Sequence, residues 1–101
     1  MVDYYVSNPV KISAHQWNGT IADAGLIVEW IQDLGGNVEF LETNETKHRT
    51  HPELKIHTLE GVMTANPTDW VIRGTMGEFY PCKDEAFVVK YSTLIAGETT
   101  S

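Results

Sequence analysis

The chain has 101 residues, of which 42% are hydrophobic and 21% charged, a composition that predicts one globular domain and excludes collagen-like, fibrous and wholly disordered proteins. Seven lysines and arginines stand against fourteen aspartates and glutamates, which gives a formal net charge of −7. Nucleic acids and anionic membranes repel an acidic surface, so we expect neither of them as a partner.

The first third of the chain predicts a strand and then a helix. Apolar and polar residues alternate from Val10 to Trp17, as in a half-buried strand. Thr20 suits the N-cap of a helix that begins at Ile21, and Gly35-Gly36 suits its C-terminal end. The helical spacing of apolar residues predicts a buried face of Ala24, Ile27, Ile31 and Leu34.

The middle of the chain predicts a strand, a polar loop and a hairpin. Residues 37–42 alternate and are rich in strand formers, whereas residues 43–52 contain no apolar side chain except Pro52 and predict an exposed loop or the tip of a long hairpin. Residues 54–65 alternate on both sides of Glu60-Gly61, which predicts a hairpin that reverses at these two residues. Its inward side would carry Leu54, Ile56, Thr58, Met63 and Ala65.

The last third predicts a second hairpin from residues 70–73 and 78–80, which Pro81 would end because proline lacks an amide donor. One helical turn over 83–87 and a last strand over 87–91 would follow. The predicted fold is α+β: a curled, mostly antiparallel sheet of five to seven short strands around one main helix. We expect one domain over residues 1–96 and a flexible tail over 97–101. The large aromatic residues of the first half, Trp17, Trp30 and Phe40, are expected in the core.

Two segments carry a resemblance to a known family. They are TLEGVMTANPTDWVIRG at 58–74 with GEFYPCK at 77–83, and the opening residues 9–17 with the helix that ends in Glu29-Trp30-Ile31. This combination resembles a family of small phage and prophage proteins. The family usually has glycine before the aspartate of its turn, where this chain has Thr68. The resemblance implies a bacteriophage or prophage origin and a shared fold, and it implies no established activity.

The second hairpin also gathers the candidate ligand-binding residues, Asp69, Trp70, Arg73, Glu78 and Tyr80. One interpretation is structural: an ion pair between Arg73 and Glu78 across the turn, with Asp69 capping the preceding turn. The other is a pocket rim, where Trp70 or Tyr80 would stack on a planar ligand and Arg73 would bind an anionic group.

The residues that could support catalysis are scattered. Cys82 is the single cysteine, which excludes an internal disulfide and favours a reducing, cytoplasmic compartment. The neighbouring Lys83 could lower the pKa of the thiol, but no histidine stands at a spacing typical of a base for it. His48 and His51 have metal-ligand spacing without a third ligand on a rigid element, so we expect no metal. Phosphate-loop and dinucleotide-binding motifs are absent from the sequence, and we expect no cofactor.

The function expected from the sequence is therefore binding of a host protein or a small molecule by a phage accessory protein in the host cytoplasm. One alternative is an enzyme that uses Cys82, His57 or Glu78. Another is a minor structural component of the virion. Self-association is a further expectation, because short antiparallel sheets have edge strands that a second copy can cover.

Overall fold

The computed structural model of the chain describes residues 12–91. They form two α-helices, α1 (Ile21–Asp33) and α2 (Asp84–Lys90), and one 3₁₀ turn at Glu45–Lys47. The six strands are β1 (Ser13–Gln16), β2 (Val38–Leu41), β3 (Glu53–Thr58), β4 (Gly61–Ala65), β5 (Trp70–Arg73) and β6 (Phe79–Cys82). None of the helices in this part of the chain is both long enough and apolar enough to cross a membrane.

The strands form two three-stranded sheets, in the orders β1-β5-β6 and β2-β3-β4, and every pairing is antiparallel. The α+β fold and the predicted number of strands are confirmed. The strands are divided between two open sheets and do not form a closed barrel. The polar segment between β2 and β3 is the tip of a long hairpin, closed by a bridge between Asn44 and Arg49.

Helix α1 begins and ends where the sequence predicts. The Thr20 side chain caps it by accepting the Asp23 N–H at 3.1 Å, and Gly35 follows its end with a φ of 86°. Three of the four residues predicted to be buried are so, namely Ala24, Ile27 and Ile31. The prediction is wrong for Leu34, which is 45% exposed because it is the C-cap residue and lies beyond the last helical turn.

The core forms where the inner side of α1 meets both sheets. Trp17, Ile31 and Ile56 have no exposed surface, and burial of each such side chain stabilises the fold by about 1.5–3 kcal/mol. Trp30 and Phe40 are partly buried and pack against this cluster, which confirms the three aromatic residues as core. The other members of the cluster are Ala24, Ile27, Val38, Leu54, Ala65, Val71 and Phe79.

The β3–β4 hairpin has the predicted sides but a different register. Thr58 lies opposite Gly61, so the two loop residues are Leu59-Glu60 and the predicted reversal at Glu60-Gly61 is wrong. The Thr58 hydroxyl closes the loop by donating to the Gly61 carbonyl at 2.6 Å and accepting the Glu60 N–H at 3.1 Å. A shift of two residues keeps each side chain on its side of the sheet. Met63 is nevertheless 43% exposed, because β4 is an edge strand.

The strand β6 continues through Pro81 to Cys82, so the prediction that Pro81 ends the strand is wrong. Pro81 lies opposite Val71. The Gly74 N–H donates to the Glu78 carbonyl at 2.8 Å, and alternation then turns the backbone groups of residue 81 away from β5. Since β6 is at the edge of its sheet, the missing N–H of Pro81 breaks no hydrogen bond of the ladder.

The predicted last strand over 87–91 is also wrong, because residues 84–90 form α2. Phe87 and Tyr91 are four residues apart and lie on the same side of this helix. Their aromatic contacts with β5 and β6 outweigh the strand preference of Val88 and Val89, which remain exposed. Three predictions concern residues outside the described range: the start of the first strand at Val10, the domain boundary at residue 96 and the tail over 97–101.

Thr68 adopts a conformation that suits glycine. Its φ is 79°, which is strained for a β-branched residue, and its exposed hydroxyl makes no hydrogen bond to another residue in the range 12–91. We expect Thr68→Gly to raise the free energy of unfolding by about 1 kcal/mol, the relief of left-handed strain less the added entropy of the unfolded chain. Urea denaturation measures this change. Thr68→Ala keeps a Cβ and should gain less; a loss of stability with Thr68→Gly would contradict the explanation.

Candidate functional site

The five candidate residues do not lie at one site. Asp69, Trp70 and Tyr80 contact α2 or the residues at its two ends, Lys83 and Tyr91. Arg73 and Glu78 lie at the opposite end of the β5–β6 hairpin.

Asp69 has the structural role that one interpretation of the sequence assigned to it. Its side chain is 5% exposed, and Oδ2 accepts the Asn66 N–H at 2.8 Å and a hydrogen bond from Lys83 Nζ at 3.3 Å. Its backbone is bound as well, since its carbonyl accepts the Trp17 N–H at 3.0 Å. Asp69 therefore fastens the 66–69 turn to the end of β1 and is not available to a ligand.

Trp70 is already stacked on a partner from its own chain. Its ring lies 3.9 Å from that of Phe87, with an angle of 4° between the planes, and its Nε1–H donates to Asp84 Oδ1 at 2.9 Å. Tyr80 and Tyr91 share a hydrogen bond between their hydroxyl oxygens at 2.9 Å. We call Trp70, Tyr80, Phe87 and Tyr91 the aromatic cluster. It attaches α2 to the outer side of the β1-β5-β6 sheet, the place where a planar ligand would have to stack.

Arg73 and Glu78 do not form the predicted ion pair. Arg73 lies opposite Phe79, and alternation along β6 turns the neighbouring Glu78 to the other side of the sheet. The Glu78 carboxylate instead accepts the Met76 N–H at 3.0 Å, within the turn. The Arg73 guanidinium lies beside Gly77, and its buried Nε has no hydrogen-bond partner among the described residues.

A cleft lies between the tip of the β3–β4 hairpin and strand β6, and its volume is about 360 Å³. The residues that line it are Thr58, Leu59, Glu60, Met63, Glu78, Phe79, Tyr80 and Pro81. Glu78 and Tyr80 are thus the two candidate residues that border this cleft. Its size is at the lower end of the range of about 300–1,000 Å³ typical of ligand pockets.

The cleft combines apolar surface with two carboxylates. Leu59 is 74% exposed although it occupies a two-residue loop, where an apolar side chain has no packing role in the hairpin. Met63 is exposed beside it on the edge strand. Glu60 and Glu78 supply negative charge, and none of the residues between 12 and 91 that line the cleft is a lysine or an arginine.

Of the five candidate residues predicted from the sequence, only Glu78 and Tyr80 line the cleft, and the β3–β4 side of the cleft was not predicted. Leu59 was the signal that could have revealed this side of the cleft, because it is a strongly apolar residue directly before the predicted turn at Glu60-Gly61. Recognising it required the correct hairpin register, because the predicted register placed Leu59 in a strand.

The residues of the enzyme alternative, Cys82, His57 and Glu78, share no hydrogen bond within the described part of the chain. Burial raises the pKa of the Cys82 thiol, although Lys90 opposes this shift. The thiol group contacts the Lys83 carbonyl at 3.6 Å, and no hydrogen bond within residues 12–91 connects Cys82 with His57 or Glu78. The described chain also holds no group of three or more histidine, cysteine or acidic side chains that could bind a metal ion. The ring of another histidine, His15, contacts the Asp23 carboxylate at 2.8 Å, next to the N-cap of α1.

The raised pKa values of Cys82 and Tyr80 predict a loss of stability at alkaline pH. Burial is the main cause for both, and the hydrogen bond with Tyr91 adds to it for Tyr80. The folded protein keeps these protons at pH values where the unfolded chain releases them. The free energy of unfolding should therefore fall as the pH rises above the ordinary thiol pKa of about 8.5, and fall further above the ordinary tyrosine pKa of about 10.

Urea denaturation at intervals between pH 7 and pH 11 measures this dependence. Cys82→Ala should remove the part of the decrease that begins near the ordinary thiol pKa, and it should leave the part due to Tyr80. A free energy of unfolding that stays constant to pH 11 in the unmodified protein would contradict the prediction.

Comparison with known proteins gave no relative: no protein-family model matches the chain, and neither do any curated protein or any solved structure.

Proposed function

We propose that this protein acts by binding, without catalysis, and that it captures a protein partner in the cleft between the β3–β4 hairpin and β6. The observation that carries the proposal is the exposed apolar surface of this cleft, above all Leu59. A large apolar side chain held in a tight loop, next to a concavity, is typical of a contact residue and has no role in the core.

The positions of the other candidate residues support binding at the cleft in preference to the Trp70 ring. A ligand at Trp70 would have to displace Phe87 and compete with Asp84 for the indole N–H. A ligand in the cleft would displace no aromatic partner of the kind that Trp70 has among residues 12–91. The half-open shape also suits a segment of a larger partner, because part of the occupant can remain outside.

The resemblance to small phage and prophage proteins supports a host protein as the partner and the host cytoplasm as the place where the two meet. Under this proposal the protein is an accessory factor and is not part of the particle. A structural role in the virion would instead require several copies in purified particles, which mass spectrometry can count.

The proposal is tested by affinity capture from a lysate of the bacterial host, with two baits that differ only in the cleft. The bait is the full chain, compared with a variant that carries Leu59→Glu and Met63→Glu. Both side chains are exposed, so the variant should fold. We expect at least one host protein that the unmodified chain retains and the variant does not, identified by quantitative mass spectrometry.

Val89→Glu is the matched control, because Val89 is an apolar residue that is 86% exposed on α2 and does not line the cleft. It should retain the same host protein as the unmodified chain. Identical protein profiles for the cleft variant and the unmodified chain would refute binding at the cleft. A thermal shift with members of a nucleotide and metabolite panel that persists in the cleft variant would favour a small-molecule site elsewhere.

A further inference from the structure

A second apolar surface, which we call the α1 stripe, lies along α1 and its C-cap residue. Leu26 and Trp30 are four residues apart on one side of α1, and Leu34, four residues further on, is the C-cap residue of this helix. Leu26 is 60% exposed and Leu34 is 45% exposed, while Trp30 is half-buried. The stripe is about 12 Å long, from a rise of about 1.5 Å per residue.

Phe79 connects the stripe with the cleft. Its ring meets the edge of the Trp30 ring at a distance of 5.2 Å between centroids and an angle of 86°, and Phe79 also lines the cleft. Phe79 itself is only 3% exposed, so the stripe and the cleft are linked through a buried side chain.

The charged residues beside the stripe and in the lining of the cleft are acidic. Residues 21–33 include no lysine or arginine, and Glu29 and Asp33 are exposed beside the stripe. Glu60 and Glu78 border the cleft. Lys55 contacts Glu53 at 3.6 Å. Arg73 lies opposite Phe79 on β5, and its guanidinium is beside Gly77 in the turn.

The Glu78 carboxylate is held in place, which favours its use as a binding group. It accepts the Met76 N–H at 3.0 Å and lies against Gly74, where a Cβ would come within 2.6 Å of its Oε1. A fixed carboxylate loses less conformational entropy on binding a cation than a free one. It also discriminates against acidic partners, because like charges brought together are unfavourable.

We infer that the partner, if it binds at the cleft as proposed above, presents a basic segment in which lysine or arginine alternates with large apolar side chains. The apolar side chains contact Leu59, Met63 and the α1 stripe, and the cations approach Glu60 and Glu78. A segment of about eight residues in extended form spans about 26 Å, roughly twice the length of the stripe.

Fluorescence anisotropy with defined peptides tests the inference. The probe is a labelled, end-capped peptide of four Lys-Leu repeats, and the comparison peptide has four Glu-Leu repeats. We expect that only the lysine peptide binds. Its affinity should fall about ten-fold or more when the salt concentration is raised from 20 mM to 500 mM, because salt screens the attraction between opposite charges.

Two double variants separate the contributions. Glu60→Gln with Glu78→Gln should lower the affinity for the lysine peptide about ten-fold at low salt. The amide oxygen introduced at position 78 can still accept the Met76 N–H, so the turn is preserved. Leu26→Ser with Leu34→Ser should weaken it by a similar factor. Val88→Ser with Val89→Ser, two exposed positions on α2, is the matched control and should bind as the unmodified chain does.

Equal affinity for both peptides, or unchanged affinity in the Glu60 and Glu78 variant, would overturn the inference. The proposed function would still stand in that case if the cleft variant failed to retain a host protein. Sedimentation equilibrium tests whether a second copy of the chain occupies the cleft, because it measures whether the protein forms a dimer. A dimer that becomes a monomer when Leu59 and Met63 are replaced by glutamate would show that the cleft is a self-interface and would also overturn the inference.

Discussion

Replacement of Phe87 by alanine is expected to lower the free energy of unfolding by about 3 kcal/mol. Phe87 is 7% exposed and forms the stacked pair with Trp70 as well as a tilted contact with Tyr91 at 5.0 Å. Its removal takes away the main apolar contact of a helix of seven residues, which is too short to be stable without tertiary packing. Urea denaturation followed by circular dichroism measures the effect.

The Trp70 side chain reports whether Phe87→Ala detaches α2 from the sheet. With α2 detached, the indole N–H loses its hydrogen bond to Asp84 and should exchange with solvent faster in nuclear magnetic resonance spectra. Val89→Ala, on the exposed side of the same helix, should change stability by less than about 0.5 kcal/mol. A Phe87→Ala protein as stable as the unmodified one would mean that α2 contributes nothing to the fold.

Replacement of Asp69 by alanine is expected to cost about 2–3 kcal/mol of stability. The carboxylate is buried, and without it the Asn66 N–H has no acceptor from this side chain and Lys83 loses its ion pair. Asp69→Asn retains an oxygen that can accept from Asn66, and it loses only the charge interaction with a lysine that is 58% exposed. That loss should cost about 1 kcal/mol or less.

Urea denaturation of the two variants separates the hydrogen bond from the charge. If Asp69→Asn were as destabilising as Asp69→Ala, the ion pair with Lys83 would be the dominant interaction and the capping explanation would be wrong. If neither variant changed the midpoint of unfolding, Asp69 would have no structural role, and a functional role at this turn would have to be reconsidered.

Elements with strong local signals could be predicted from the sequence. The start of α1 depends on a single side chain, Thr20, which can satisfy a free N–H of the first turn whatever the rest of the fold does. The end of α1 depends on Gly35, which adopts a positive φ without strain. Both signals act within a few residues, so one sequence is enough to find them.

Elements decided by distant contacts could not be predicted in the same way. Residues 87–91 have strand-forming character, but Phe87 and Tyr91 meet their partners only if the segment is helical. Pro81 looked like the end of a strand because local rules do not say which strand lies at the edge of a sheet. Tertiary structure outweighed local preference in both places.

The candidate site was predicted only in part, because sequence proximity does not fix the side of a strand. Arg73 and Glu78 are five residues apart across a turn, and a register that differs by one residue would have paired them. The cleft joins β6 to a hairpin tip about twenty residues earlier in the chain, and no pattern within either segment indicates that the two are neighbours.

The position of Pro81 has a consequence for the solubility of the protein at high concentration. An exposed strand edge with a full row of amide donors acts as a template for amyloid-like stacking of further chains. At β6 this row is interrupted at residue 81, where the outward-facing position provides a carbonyl but no donor. Fibril growth from this edge is thereby hindered, and the protection requires no charged gatekeeper residue.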